Sequence, residues 1–246
     1  MESDAAAVAL RYPPEGCIAV VLRPLTGADE RWLAEALQDR LSLAAIGNRL
    51  LARLAAPPAA ARIPDFTLGD RERLLRRIAA SLLGVTIERA LACPDCGALL
   101  EVEVPLTGLD APALPEAGLP SEHSAAVHRL RAADLERAAA SPDPAAALMR
   151  AADPEGGLAR DALAALVEAA DPDADCRLET ACPDCGAAAA LTIDALALVV
   201  EALTADGGFL ADLDTLARHY GWSEAEIVAM PRQRRRRYAA LARAQG

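Results

Sequence analysis

The stretch VTIERALACPDCGALLEVEV, residues 85–104, decides how this chain is read. In its second arm Leu100, Val102 and Val104 alternate with Glu101 and Glu103, the period-two pattern of a half-buried strand. Its first arm, Val85 to Leu91, leads into the pentapeptide CPDCG, and Ala98 to Val104 leads out, so the unit reads strand, knuckle, strand. The same pentapeptide recurs at 182–186, entered by Cys176 to Thr180 and left by Ala187 to Ile193. The two knuckles start 89 residues apart, which suggests a weak internal duplication or one fold that uses two matching hairpins.

A Cys-x-x-Cys turn brings two sulfurs onto one metal. Proline after the first cysteine stiffens the turn, and glycine after the second takes the left-handed backbone that aims amides at sulfur. Zinc prefers four tetrahedral ligands and is well served by thiolates in structural sites. The simplest expectation is one structural Zn2+ held by Cys93, Cys96, Cys182 and Cys185. Two other readings stay open. A redox dithiol usually sits at a helix N-terminus, whereas an alternating strand follows the first motif here. Two separate sites would each need completion by Cys17, Cys176 or a histidine. The three histidines form no ligand cluster: His123 and His128 lie five apart in a polar stretch, and His219 stands beside Tyr220.

Helical segments surround the hairpins. Cys17 to Leu22 reads as a strand and Arg23 to Gly27 as a turn. Ala28 to about Leu54 reads as helical with a break near Gly47, stopped by Pro57 and Pro58. A clearer helix runs from a cap at Asp70 to Gly84, with Leu74, Leu75, Ile78 and Leu82 as its apolar stripe. Arg71, Arg73, Arg76 and Arg77 lie largely off that stripe, as on a solvated face. Short helices are expected near 132–140, 144–151 and 159–169, punctuated by Asp-Pro pairs, and another over 210–219. Ser223 and Glu226 form a capping-box pair, with Trp222 and Ile227 at staple positions. Pro231 then opens a helix carrying Arg232 and Arg234 to Arg237. The fold class expected is α+β: mainly helical, with two β-hairpin zinc knuckles and a helical C-terminal tail. Its expected segments are 1–104, a Pro-rich linker at 105–121, 122–208 and the tail 209–246.

Composition narrows the function. Alanine accounts for 60 of 246 residues, so the larger apolar residues are only about 29% and aromatics 3%. All 25 basic residues are arginine, against 36 acids, for a net charge of −11. Such a balance argues against general nucleic-acid binding. No apolar run of about 18 residues exists and no secretory leader opens the chain, so a cytoplasmic location without a membrane span is expected. No nucleophile elbow, Walker loop or glycine-rich dinucleotide turn is present, and nothing argues for an enzyme.

The order of several blocks carries a resemblance. They are Arg23-Pro24-Leu25-Thr26 before a helix, Leu68-Gly69-Asp70-Arg71-Glu72-Arg73-Leu74-Leu75, and the first CPDCG. Leu130-Arg131 through Asp134-Leu135 and the second CPDCG follow. The last block is Leu216-Ala217, His219 to Ile227, Pro231 and Arg234 to Tyr238. In this order the chain resembles the zinc-finger-bearing, T-even-phage-type baseplate hub assembly chaperones of contractile-tailed phages, with relatives in extracellular contractile injection systems. The resemblance implies a non-enzymatic cytoplasmic helper whose partners are hub or spike proteins of a contractile tail. Trp222, Arg234, Arg235, Arg236, Arg237 and Tyr238 are the candidate partner-binding residues, the arginines steering an acidic client. The competing expectation is a zinc-ribbon regulator that binds nucleic acid through Arg232 to Arg237.

Overall fold

The computed structural model describes residues 7–108 and 127–245. In chain order the elements are β1 (Val8–Ala9), β2 (Ala19–Val20), α1 (Gly27–Gln38), α2 (Leu43–Leu54), α3 (Ala59–Arg62), α4 (Leu68–Leu83), β3 (Thr86–Ala92) and β4 (Leu99–Pro105). After these come α5 (Ala132–Ala139), α6 (Pro144–Ala152), α7 (Arg160–Ala170), β5 (Arg177–Ala181), β6 (Ala188–Thr192), α8 (Ala195–Thr204), α9 (Gly208–Tyr220), α10 (Glu224–Ala229) and α11 (Arg232–Arg243). The class is α+β: helices dominate, and the strands form three antiparallel two-stranded sheets, β1-β2, β3-β4 and β5-β6.

The chain divides into two compact units, Met1–Ile63 with Val200–Gly246, and Pro64–Val199. Both CPDCG hairpins fall within the second unit, which is inserted into the chain of the first. The expected linker begins at the end of β4, and from residue 109 it lies outside the described residues, as does His123.

In the first unit α1 packs on α2, α9 and α10, and α9 packs on α11. Its fully buried side chains include Val20, Leu33, Ile46, Leu50, Leu51, Leu54, Leu216 and Ile227. The break between α1 and α2 falls at 39–42 rather than at Gly47, which lies buried inside α2. Arg40 takes the left-handed conformation (φ 55°), and Ser42 caps α2 by accepting from the Ala45 amide at 3.2 Å. The serine cap determines where the helix starts, and the glycine costs only propensity. The strand expected over 17–22 is shorter, Ala19–Val20, with an isolated bridge from Leu22 to Ala55.

In the second unit α4 starts one turn earlier than expected. Thr67 is its cap and Asp70 sits in its first turn; Gly84 ends it with φ 99°. Leu74, Leu75, Ile78 and Ala79 are buried, but so are Arg71 and Arg76, at 5% and 2% exposure. The solvated arginine face therefore does not hold for these two. Arg76 reaches the Cys176 sulfur at 3.3 Å, and Arg71 lies 3.9 Å from Glu72. The N-terminus of α4 joins that of α5 through backbone bonds from Leu68 to Leu130 and from Ala132 to Phe66. Val127, Ala152 and Leu163 form a small satellite core beneath α6 and α7. Among the described residues no helix is long and apolar enough to cross a membrane.

Candidate metal centre

Each knuckle is built by the same local rules. In the first, the Cys93 amide donates to the Ala98 carbonyl at 2.8 Å and the Gly97 amide to the Cys93 carbonyl at 3.0 Å. In the second, Cys182 donates to Ala187 at 2.8 Å and Gly186 to Cys182 at 2.9 Å. Gly97 (φ 74°) and Gly186 (φ 76°) adopt the left-handed backbone that closes each turn, which any other residue would strain. The flanking strands keep a register that sets Ala92 against Leu99 and Ala181 against Ala188. Leu100, Val102 and Val104 turn inward while Glu101 and Glu103 are exposed, as the alternation requires.

The two hairpins bring all four knuckle sulfurs within 4.8 Å of one another. Cys93 Sγ lies 3.6 Å from Cys185 Sγ, and Cys96 Sγ lies 3.7 Å from Cys182 Sγ. The first cysteine of each knuckle is buried and the second exposed, and all six cysteines of the chain are free thiols. Beneath the sulfurs, Cys93, Cys182, Leu100 and Ala189 form a miniature core. Leu100 and Ala189 each stand seven residues after the first cysteine of their hairpin, so the repeat extends into the packing.

Electrostatics favour a cation here. Hydrogen bonds from the Cys96 and Asp95 amides pull the Cys93 thiol down to about 7. Cys96 has the Ala98 amide pulling its pKa down, but the sulfurs of Cys185, Cys93 and Cys182, together with burial, push it up to about 12. Cys185 is also raised: the Ala187 amide and Cys96 lower it, while Cys93, burial and Cys182 outweigh them. Cys93 is thus lowered while Cys96 and Cys185 are raised, so these sulfurs compete for protons within one cluster. A bound dication removes that conflict. Among the described residues this is the one group of three or more His, Cys, Asp or Glu placed to hold a metal ion. Cys176 and Cys17 lie outside it. Burial raises both thiols, with Arg76 partly offsetting it at Cys176 and Arg62 at Cys17.

The C-terminal candidates divide between two environments. Tyr220 and Trp222 stack with centroids 4.6 Å apart, and Tyr238 meets Trp222 edge-on at 5.2 Å. All three are half-buried against Phe209, Leu216, Ile227 and Ala239. The expected capping box forms, with the Ser223 amide donating to Glu226 at 2.8 Å. Arg234 and Arg237 are exposed, and Arg234 lies 5.6 Å from the Tyr238 ring centre. Arg235, in contrast, is fully buried. It donates to Glu30 at 2.5 Å, approaches Asp212 at 3.5 Å and lies 5.0 Å from the Phe209 ring centre. Arg232 also reaches Glu30, at 3.3 Å, and donates to the Ala202 carbonyl. Arg236 lies 3.9 Å from Asp212.

Glu30 and Asp212, the buried partners of this arginine helix, are not identified by the sequence reading. One signal was available: Arg235 shares an i, i+4, i+7 stripe with Ala239 and Ala242, and that stripe faces inward.

Comparison with family models, with curated proteins and with solved structures yields no match.

Proposed function

We propose that Cys93, Cys96, Cys182 and Cys185 hold one structural Zn2+ and that the chain acts without catalysis. In this reading it is a cytoplasmic assembly chaperone or adaptor for the baseplate hub of a contractile phage tail or contractile injection system. The observation that carries the zinc reading is the single group of four sulfurs drawn from two matched hairpins. Zinc–sulfur bonds of about 2.3 Å in a tetrahedron set sulfurs about 3.8 Å apart. The 3.6 and 3.7 Å contacts suit that shell. When bound, the ion supplies a tetrahedral cross-link between the hairpins. Four thiolates complete the shell and leave no open position for water or substrate, so the site suits stapling rather than hydrolysis.

The hub assignment rests on the order of sequence blocks described above. Its chemical support is a half-exposed Tyr220–Trp222–Tyr238 cluster beside exposed Arg234 and Arg237, the residue types that anchor protein interfaces. The burial of Arg235 on Glu30, and the pairing of Arg232 with the same carboxylate, turn part of the arginine run inward and weigh against the nucleic-acid reading. The test is reconstitution of the hub from its purified components with and without this chain. The expected result is a gain in correctly assembled hub, absent for Trp222→Ala with Arg234→Ala and Arg237→Ala. Tight nucleic-acid binding that weakens steeply with salt, without effect on hub assembly, would overturn the proposal.

A further inference from the structure

The arrangement of the four sulfurs does more than complete a metal shell. Each exposed sulfur touches the buried sulfur of the opposite hairpin: Cys185 lies 3.6 Å from Cys93, and Cys96 lies 3.7 Å from Cys182. Cys96 and Cys185 therefore meet solvent oxidants first, while their contact partners are shielded. Within a knuckle the turn is locked by paired backbone bonds, Cys93 to Ala98 and Gly97 to Cys93 in one hairpin and Cys182 to Ala187 and Gly186 to Cys182 in the other. Closing a disulfide across the hairpins requires side-chain rotation and a sulfur approach to about 2.0 Å.

We infer that the site is an exchangeable staple: peroxide replaces its metal cross-link with two cross-hairpin disulfides, Cys93–Cys185 and Cys96–Cys182, so the hairpins stay joined when the metal leaves. This rests on the zinc reading above. In the first step an exposed sulfur, a thiolate in the zinc-bound form, attacks hydrogen peroxide. The O–O bond breaks, the sulfur becomes a sulfenic acid, and hydroxide leaves and takes a proton from the buffer. The shielded thiolate of the opposite hairpin then attacks that sulfur, forming S–S and expelling hydroxide, which also takes a proton. For the whole site, four thiolates give up four electrons to two peroxides. Four protons are consumed, and two disulfides, four waters and one Zn2+ are produced. The resulting protein keeps Cys93 joined to Cys185 and Cys96 to Cys182, closing sequence separations of 92 and 86. Thiol reductant and zinc together reverse the exchange.

The experiment uses the full-length, zinc-loaded protein. Its metal content is first measured with the thiols reduced, then hydrogen peroxide is added in the presence of a chromogenic zinc chelator. Disulfides are mapped by mass spectrometry of unreduced proteolytic peptides. Release of one zinc per chain, with Cys93–Cys185 and Cys96–Cys182 as the dominant linkages, is the expected result. Cys17 and Cys176, both buried, should remain reduced under the same exposure. Dominant Cys93–Cys96 and Cys182–Cys185 linkages, or zinc retained with all thiols intact at peroxide levels that strip free zinc-thiolate peptides, would overturn the inference while leaving the zinc reading in place. Reduced protein that carries no zinc at the start would remove the zinc reading itself, and the inference with it. A Cys96→Ser, Cys185→Ser variant should form no cross-hairpin disulfide, and any such linkage in it would contradict the assignment.

Discussion

At Gly27, the first residue of α1, an added Cβ would sit 2.8 Å from the Val228 carbonyl, 2.9 Å from its Cα and 3.0 Å from the Phe209 ring. Backbone blocks two of those approaches, so Gly27→Ala is expected to cost about 1–3 kcal/mol, read as a lower urea midpoint. Arg235 and Arg234 make the sharper pair. Arg235→Ala leaves Glu30 and Asp212 buried with one fewer cation and should cost about 3–5 kcal/mol, whereas Arg234→Ala should leave stability nearly unchanged. Chemical denaturation of the two variants checks this.

Asp171 offers a pH test. Burial raises its carboxyl to about 6, the Gly69 amide pulls it back, Asp70 raises it, Thr67 lowers it and Asp173 raises it. A folded pKa above the unfolded one means the folded state binds the proton more tightly. Its favourable contribution is full below about pH 4 and is lost as pH rises through about 6. Asp171→Asn keeps an acceptor for the Gly69 amide and should flatten the fall in stability between about pH 4 and 7. An unchanged pH slope would contradict this. None of these residues announces itself in sequence. Arg76 meets Cys176 100 positions away, and Arg235 meets Glu30 205 positions away. A charged residue with so distant a partner looks like surface until the fold is known.

Among the elements, the hairpins were the most legible. Their alternation and shared CPDCG turn are local signals, and the strands lie within a residue or two of expectation. Of the helices α5 to α7, α6 has the clearest local signal, since Asp143 and its following proline fix its start. By contrast, α8 (ALALVVEALT) is not legible in the sequence, because its residues are apolar on nearly every side and supply no 3.6-residue contrast. The joining of α4 to α5 by backbone bridges was equally hidden. The C-terminal elements carry the next prediction. A chain cut before Gly221 loses Arg232, Arg235 and Arg243, which pair with Glu30 and Asp212, and it uncovers Phe209 and Leu216. It should melt earlier and lose helical signal beyond the deleted residues, while Cys93, Cys96, Cys182 and Cys185 still bind metal, because all four lie in the other unit. A truncated protein with an unchanged melting curve would show that the arginine helix is not structural.

At the scale of the whole molecule, the cysteine spacing anticipates the gathering of four sulfurs, and both hairpins lie in one unit whose chain is inserted in that of another. Contiguous sequence suggests contiguous domains, and only long-range contacts reveal an insertion. With the proposed zinc bound, a cross-link between Cys93 and Cys182 would close a loop of about 90 residues, a constraint on the unfolded chain of order 4–5 kcal/mol by analogy with a disulfide. Because the site fails as a unit, Cys93→Ser and Cys182→Ser together should destabilise little more than either alone. Losses that simply add would mean independent knuckles. The most direct measurement is the metal content of freshly purified, fully reduced protein, by inductively coupled plasma mass spectrometry alongside a thiol count. One zinc per chain, lost from Cys93→Ser and from Cys182→Ser alike, is the predicted result. Two zinc ions per chain, or none while all six thiols remain reduced, would contradict it.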